Sequence, residues 1–209
     1  MKYSPEDIKS NPRFVLLDEL NYDEIVDFTA KYIRKGNSSM VLFYIFLAGT
    51  FLLVIGSLVF GMVYHNREFG GIMKQYLYGL ILSFSAMIPI HEIIHGIIYV
   101  LLGARKVYFG AEFKQFAFYA VADEFVTGKN GFYMLAVGPF LTVSVLCLLG
   151  FILVPGIASY TYISILFFHT TMCRGDFALM SYYDSNKDKN IFTFDDIRNR
   201  ISYYYYLKE

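Results

Sequence analysis

Four apolar runs, each long for the interior of a small soluble domain, dominate the pattern of the chain. Residues 40–64 and 132–154 hold no charged side chain; 76–102 carries His91, Glu92 and His95 in its second half, and 158–183 carries His169, Arg174 and Asp176. A helix rises 1.5 Å per residue, so about 20 residues cross a bilayer core of about 30 Å. Each run is therefore expected to be a transmembrane helix, with only a tight turn at Pro155-Gly156 between the last two. Outside these runs the polar pattern changes. Ser4-Pro5-Glu6-Asp7 starts a capped helix, and no apolar signal-peptide core precedes Met40. Asn21 is placed to cap a helix ending before Gly36, with Ile25, Phe28 and Tyr32 along one stripe. In 106–125, short Val-, Tyr- and Phe-rich alternations predict a small β-hairpin at the cytoplasmic surface. Toward the other end, Thr193 and Asp196 resemble a capping box ahead of Ile197, Ile201 and the tyrosines 203–206, which predicts an amphipathic helix. The expected fold is an all-α polytopic membrane protein. It has four transmembrane helices, a small cytoplasmic β-hairpin region and amphipathic terminal helices, organised as 1–39, 40–183 and 184–209.

Composition narrows the surroundings. Of the 209 residues 56% are hydrophobic and 17% charged, against about a quarter charged in soluble domains. Lys+Arg and Asp+Glu stand at 18 each, so no nucleic-acid partner is implied. There is no Trp, and 19 tyrosines must supply any interfacial aromatic belt. Cys147 and Cys173 both lie in apolar stretches, where a structural disulfide is not expected. Lys2, Lys9, Arg13, Lys31, Arg34 and Lys35 precede the first run. Arg105, Lys106, Lys114 and Lys129 lie in 103–131, and Lys187, Lys189, Arg198, Arg200 and Lys208 follow the last run. Only Arg67 and Lys74 fall on the other side. Cytoplasmic segments carry the Lys/Arg excess, which predicts a multi-pass protein of a cell membrane with both termini cytoplasmic.

The chemistry is concentrated in Pro89-Ile90-His91-Glu92-Ile93-Ile94-His95-Gly96. Residues four apart share a helix face, so His91 and His95 can bind one metal ion while Glu92, about 100° around, reaches an attacking water. Two histidines in an apolar helix can also simply bond polar groups across a bundle. However, a charge at mid-helix in a bilayer costs about 2.5–3.5 kcal/mol, so three ionisable groups in five residues call for a compensating role. Imidazole ligands suit Zn2+, whose catalytic sites take three protein ligands. Asp176, seven residues from the end of its run, matches the depth of His95 and is the expected third ligand. His169, about 10 Å deeper at helical rise, is the fallback ligand or a substrate contact. Cys173 reads as a small buried hydrophobe on the same stripe, and Arg174 as a side chain snorkelling to headgroups. Gly138-Pro139 lies at the same depth in the third run. The proline frees the carbonyl four residues earlier and the glycine admits close approach, so both, with Thr142 one turn on, are candidate substrate-binding positions, the alternative being a plain kink of a membrane helix.

An HExxH span, a short β-region, a span with Gly-Pro and a span with an Asp resemble, in that order, the intramembrane zinc proteases of the site-2 group. In size and layout the chain is similar to the membrane zincin peptidases, a largely bacterial family; the resemblance covers about 76–183. It implies His91, His95 and Asp176 as zinc ligands and Glu92 as general base. The implied activity is a zinc metallopeptidase hydrolysing a bond of a membrane-protein or peptide substrate within or next to the lipid bilayer. Two positions depart from the site-2 pattern: Thr142 stands where those enzymes carry Asn, and Gly175 precedes Asp176 where they place Gly after it. A non-catalytic metal-binding protein that holds a client is the alternative. A metal transporter fits less well, because one ionisable cluster gives no continuous polar path.

Overall fold

The computed structural model describes residues 3–64, 68–112 and 117–208. Lys2, Arg67 and Lys114, among the basic residues that predict orientation, lie outside them. The chain forms two compact units. Unit one comprises Met1–Met40, Glu92–Gly138 and Gly175–Glu209, and unit two comprises Val41–His91 and Pro139–Arg174.

Unit one is built on an antiparallel sheet. Helix α1 (Pro5–Ser10) starts on a capping box in which the Ser4 side chain accepts from the Asp7 N–H and Asp7 accepts from the Ser4 N–H. Strand β1 (Phe14–Asn21) follows, and the Asn21 carboxamide accepts from the Asp23 N–H to open a 3₁₀ turn leading into α2 (Ile25–Ile33). The terminal 190–207 region is a hairpin of β5 (Asn190–Asp196) and β6 (Ile201–Leu207). With the short β4 (Thr127–Gly128), the strand order is β1-β6-β5-β4. This corrects the expected amphipathic helix. Alternate tyrosines of β6 face opposite sides, which is the strand period of two. Tyr204 packs with Leu20, Phe28, Tyr182, Tyr183 and Ile191, while Tyr203 and Tyr205 pack with Ile8, Phe14 and Phe194. Aromatic and β-branched residues favour this pleated, half-buried surface. Thr193 pairs with Tyr204 in the ladder rather than capping a helix. Asp196 closes the turn by accepting from the backbone N–H and side-chain amide of Asn199 at 3.1 and 2.8 Å.

Helix α8 (Arg174–Ser185) buries Phe177, Ala178, Met180, Tyr182 and Tyr183 within this unit. Near its end, Asp184 accepts from the Ser39 N–H at 2.8 Å and from the Tyr133 hydroxyl at 2.5 Å. Burial works against its charge, but these donors hold the Asp184 carboxyl below the ordinary carboxylate value. The hairpin expected in 106–125 is present as β2 (Val107–Glu112) and β3 (Ala117–Ala122), paired from Val107↔Ala122 to Glu112↔Ala117. The Arg200 guanidinium joins it to the terminal hairpin through Glu112 at 2.8 Å and also reaches Asp23 at 2.9 Å.

Helices make up unit two. α3 (Ser38–Tyr64) enters it at Val41, α4 (Phe69–Ser85) lies wholly within it, and α5 (Met87–Leu102) begins in it. α6 (Lys129–Leu153) enters it at Pro139, and α7 (Tyr160–Met172) completes it. α4 and α7 approach closely at Gly79, where an added Cβ would lie 2.4 Å from Ser164 Cβ. Ser164 Oγ donates to the Tyr76 carbonyl at 2.7 Å across the same contact, the small-residue and hydroxyl packing characteristic of helices in lipid. Leu52, Ile152 and Leu153 point outward, at 67, 73 and 73% exposure.

Among the described residues two helices, Ser38–Tyr64 and Lys129–Leu153, are long and apolar enough to cross a membrane. The pair Phe69–Ser85 and Met87–Leu102, bent by 49°, makes a third if it is one span. The all-α, four-span expectation is therefore wrong. Run 76–102 is not one straight helix: Pro89 has no N–H for the Ser85 carbonyl, and the chain bends between α4 and α5. Run 158–183 divides at Cys173 into α7 of 13 residues and α8 of 12. Helices of that size span about 18–20 Å, short of the roughly 30 Å a bilayer core demands. α8 spends its apolar face on the sheet instead.

Candidate metal centre

Helix α5 presents His91 and His95 one turn apart on a single face. Pro89 falls in its first turn, where a missing N–H is tolerated. Glu92 is half-buried on the neighbouring face. The division between the units falls between His91 and Glu92.

In unit one, His95 Nε2 lies 3.4 Å from Asp176 Oδ1, with the side chains 12 and 17% exposed. Nitrogen and oxygen ligands on one tetrahedral zinc, at bonds of about 2.0–2.2 Å, sit about 3.4 Å apart, so this pair fits the ion. Asp176 reaches this place in the first turn of α8, where the positive end of the helix favours a carboxylate. The backbone carbonyl of Leu135 lies within hydrogen-bonding reach of the His95 ring. In an unbroken helix that carbonyl would accept from residue 139, but Pro139, buried inside α6, has no N–H to give. The carbonyl freed by the proline thus becomes the support of a candidate ligand, the kind of outer contact that fixes a metal-binding imidazole. Beside it, Gly138 admits Ile98 of α5, whose Cδ1 would lie 2.0 Å from a Cβ there, and Gly96 admits Phe109 of β2.

Unit two gathers a different set. His91 Nδ1 and His169 Nε2 are 3.1 Å apart. Cys173 Sγ stands 4.0 Å from His91 Nδ1 and 3.9 Å from His169 Nε2. The three side chains are buried, and their ligand atoms lie within 4.8 Å of one another, a nitrogen and sulfur donor set suited to zinc. Cys173 joins because α7 ends there: its N–H donates to the His169 carbonyl at 3.1 Å, which keeps the two residues one turn apart.

Of the other sequence candidates, Thr142 is exposed on α6 and Arg174 is exposed at the start of α8. Cys173 is not a plain hydrophobe but stands beside two imidazoles, and its four-residue spacing to His169 is the sequence signal for that place. The Leu135 carbonyl carries no side-chain signal and is found only through Pro139.

An HExxH helix with a carboxylate at zinc-ligand spacing from its second histidine defines the donor set of a metalloprotein of the zinc-hydrolase kind. The sequence model of the family described as "Putative zincin peptidase" matches residues 84–190, which takes in both histidines of the motif, Glu92 and Asp176. The chain belongs to that family, and is thereby a metallopeptidase of the zincin type with zinc as its metal. No curated protein and no solved structure matches it.

Proposed function

We propose that the protein is an intramembrane or membrane-adjacent zinc peptidase of site-2-protease-like design, with His91, His95 and Asp176 as the zinc ligands. The spacing of His95 and Asp176, on two helices far apart in sequence, is the observation that carries this reading. When bound, zinc supplies Lewis acidity that makes water a nucleophile near neutral pH and polarises the scissile carbonyl. Glu92, next to His91 and half-buried, accepts the proton of the attacking water on its carboxylate and returns it to the leaving nitrogen. The Leu135 carbonyl, within hydrogen-bonding reach of the His95 ring, would take one ring N–H and leave the other nitrogen for the metal. The hairpin β2–β3 offers backbone edges to which an extended substrate segment can add, giving recognition with little side-chain selectivity. The preferred substrate is a membrane-embedded or membrane-adjacent peptide segment that unwinds before cleavage. Outside the segments of unit one the sequence carries only Arg67, Lys74 and Arg174 as basic residues. That distribution supports a cytoplasmic location for unit one and for both termini.

The test is Glu92→Gln in detergent-solubilised protein, assayed on a panel of transmembrane peptides alongside metal analysis. Cleavage is expected to fall by about 10²–10⁴-fold, the range for loss of a general base, while zinc content is unchanged. Full activity in this variant refutes the mechanism.

A further inference from the structure

We propose that His91, His169 and Cys173 form a second zinc seat, alternative to the His91–His95–Asp176 set and occupied by the same single ion. The seat lies wholly in unit two and depends on the proposed function only for its claim to compete over His91. Its geometry is that of a built site. A tetrahedral zinc with bonds of about 2.0–2.1 Å to nitrogen and about 2.3 Å to sulfur requires about 3.3 Å between nitrogens and about 3.6 Å between nitrogen and sulfur. The observed separations are 3.1 Å for His91 Nδ1 to His169 Nε2, and 4.0 and 3.9 Å from Cys173 Sγ to those same two nitrogens. These differ from the required values by about 0.2–0.4 Å, and Cys173 Sγ also lies 3.7 Å from His169 Nδ1. His91 is 7% exposed and the other two 0%.

Competition follows from the chemistry of imidazole. A neutral ring carries one proton and one free lone pair, so His91 serves a cation through Nδ1 or through Nε2, not both. An ion held by His169 and Cys173 therefore takes His91 from the HExxH set. Binding there converts the Cys173 thiol to thiolate, with its proton released to solvent. The second seat is thus a resting position for the metal, chemically distinct from the first in having a sulfur ligand, and zinc or another divalent ion of similar softness is the cation it accepts.

The sulfur ligand supplies a direct readout. Full-length metal-free protein in detergent is titrated with Co2+ alone, and the near-ultraviolet thiolate-to-cobalt charge-transfer band is followed. The band is expected in the wild type and in Cys147→Ser, to disappear in Cys173→Ser, and to fall at least tenfold in apparent affinity in His169→Ala. It persists in His95→Ala, which damages only the other ligand set, and saturation comes at one cobalt per chain. Cobalt binding to the wild type without the band overturns the seat and leaves His169 and Cys173 as groups that orient the His91 ring. A band lost with Cys147 rather than Cys173 overturns it as well, and two cobalt ions per chain overturn the competition for His91. These outcomes are independent of the Glu92→Gln assay, so either proposal can fail alone.

Discussion

Replacing Pro139 with Ala makes stability and metal affinity move in opposite directions. The substitution restores an N–H four residues after Leu135, inside α6, and offers the Leu135 carbonyl its ordinary helix partner. That carbonyl, lacking this partner, lies within hydrogen-bonding reach of the His95 ring. Proline in a helix interior is unfavourable relative to alanine by up to about 3 kcal/mol, although neighbouring groups in membrane helices recover part of this. The metal-free variant should therefore unfold at the same or a higher temperature. The bond to His95 must now share its acceptor, and loss of such outer contacts to a ligating histidine typically lowers metal affinity about 10–100-fold, or about 1.4–2.7 kcal/mol. The measurement is zinc affinity by competition with a chelating dye, made in a Cys173→Ser background so that the HExxH ligands alone report, beside thermal unfolding of the metal-free protein. Pro139→Gly also restores the N–H without the helix-forming gain, and should lower zinc affinity by a similar factor. Zinc affinity within twofold of the parent in both variants would refute the link between the proline and His95.

Two further predictions concern stability. Asp195 sits part-buried in the sheet of unit one and accepts from the Ser202 hydroxyl at 2.5 Å; burial, reinforced by Asp123, raises its pKa from 3.8 to about 6. A folded value above the unfolded one contributes stability that is fully present below about pH 4 and is lost as pH rises through 6, at about 1.4 kcal/mol for each pH unit between the two values. Asp195→Asn should then gain on wild type by about 2 kcal/mol between pH 4.5 and 7.5 in urea unfolding of the full chain; a constant difference across that window would disprove it. Gly79→Ala places a Cβ 2.4 Å from Ser164 Cβ and 2.7 Å from the Thr161 carbonyl oxygen, whereas Gly49→Ala meets nothing within 4 Å. The first should lose about 1–3 kcal/mol and the second almost nothing in thermal melts, and equal effects would show that α4 and α7 do not pack as described.

The motif on α5 was legible because it is local: HExxH fixes two imidazoles on one face by helical period alone. The hairpin at 107–122 was legible for the same reason, since strand alternation is also a short-range signal. Hydropathy failed where it averaged over residues with different destinations. Run 158–183 has the apolar content of a span, but Phe177, Tyr182 and Tyr183 in its second half are drawn to the sheet core rather than to lipid. In 190–207 the capping residues Thr193 and Asp196 favour a helix, but the alternation of the tyrosines is the stronger signal and gives a hairpin. Matching depths points to Asp176 only through a continuous fourth span, and the run is divided at Cys173. Asp176 stands beside His95 for another reason, namely that α8 begins at Arg174 and sets its first turn there.

The candidate metal centre depends on where apolar helices stop being regular. A continuous helix in lipid satisfies its own backbone and presents side chains only on its outside, so it has no carbonyl to spare for a ligand. Here each interruption provides something that continuity would withhold. Pro139 frees the Leu135 carbonyl for His95. The end of α7 at Cys173 keeps the thiol over His169, and the new helix it starts carries Asp176 in its first turn. The bend before α5 lets Pro89 stand in a first turn two residues ahead of His91. A polar cluster inside a hydropathy run is thus informative in two ways. It marks the chemistry, and it warns that the run itself is broken nearby, since backbone groups and ionisable side chains in an apolar medium must satisfy one another. The helix breaks at 86 and 173, and the carbonyl left without its N–H partner by Pro139 inside α6, are what that requirement demands.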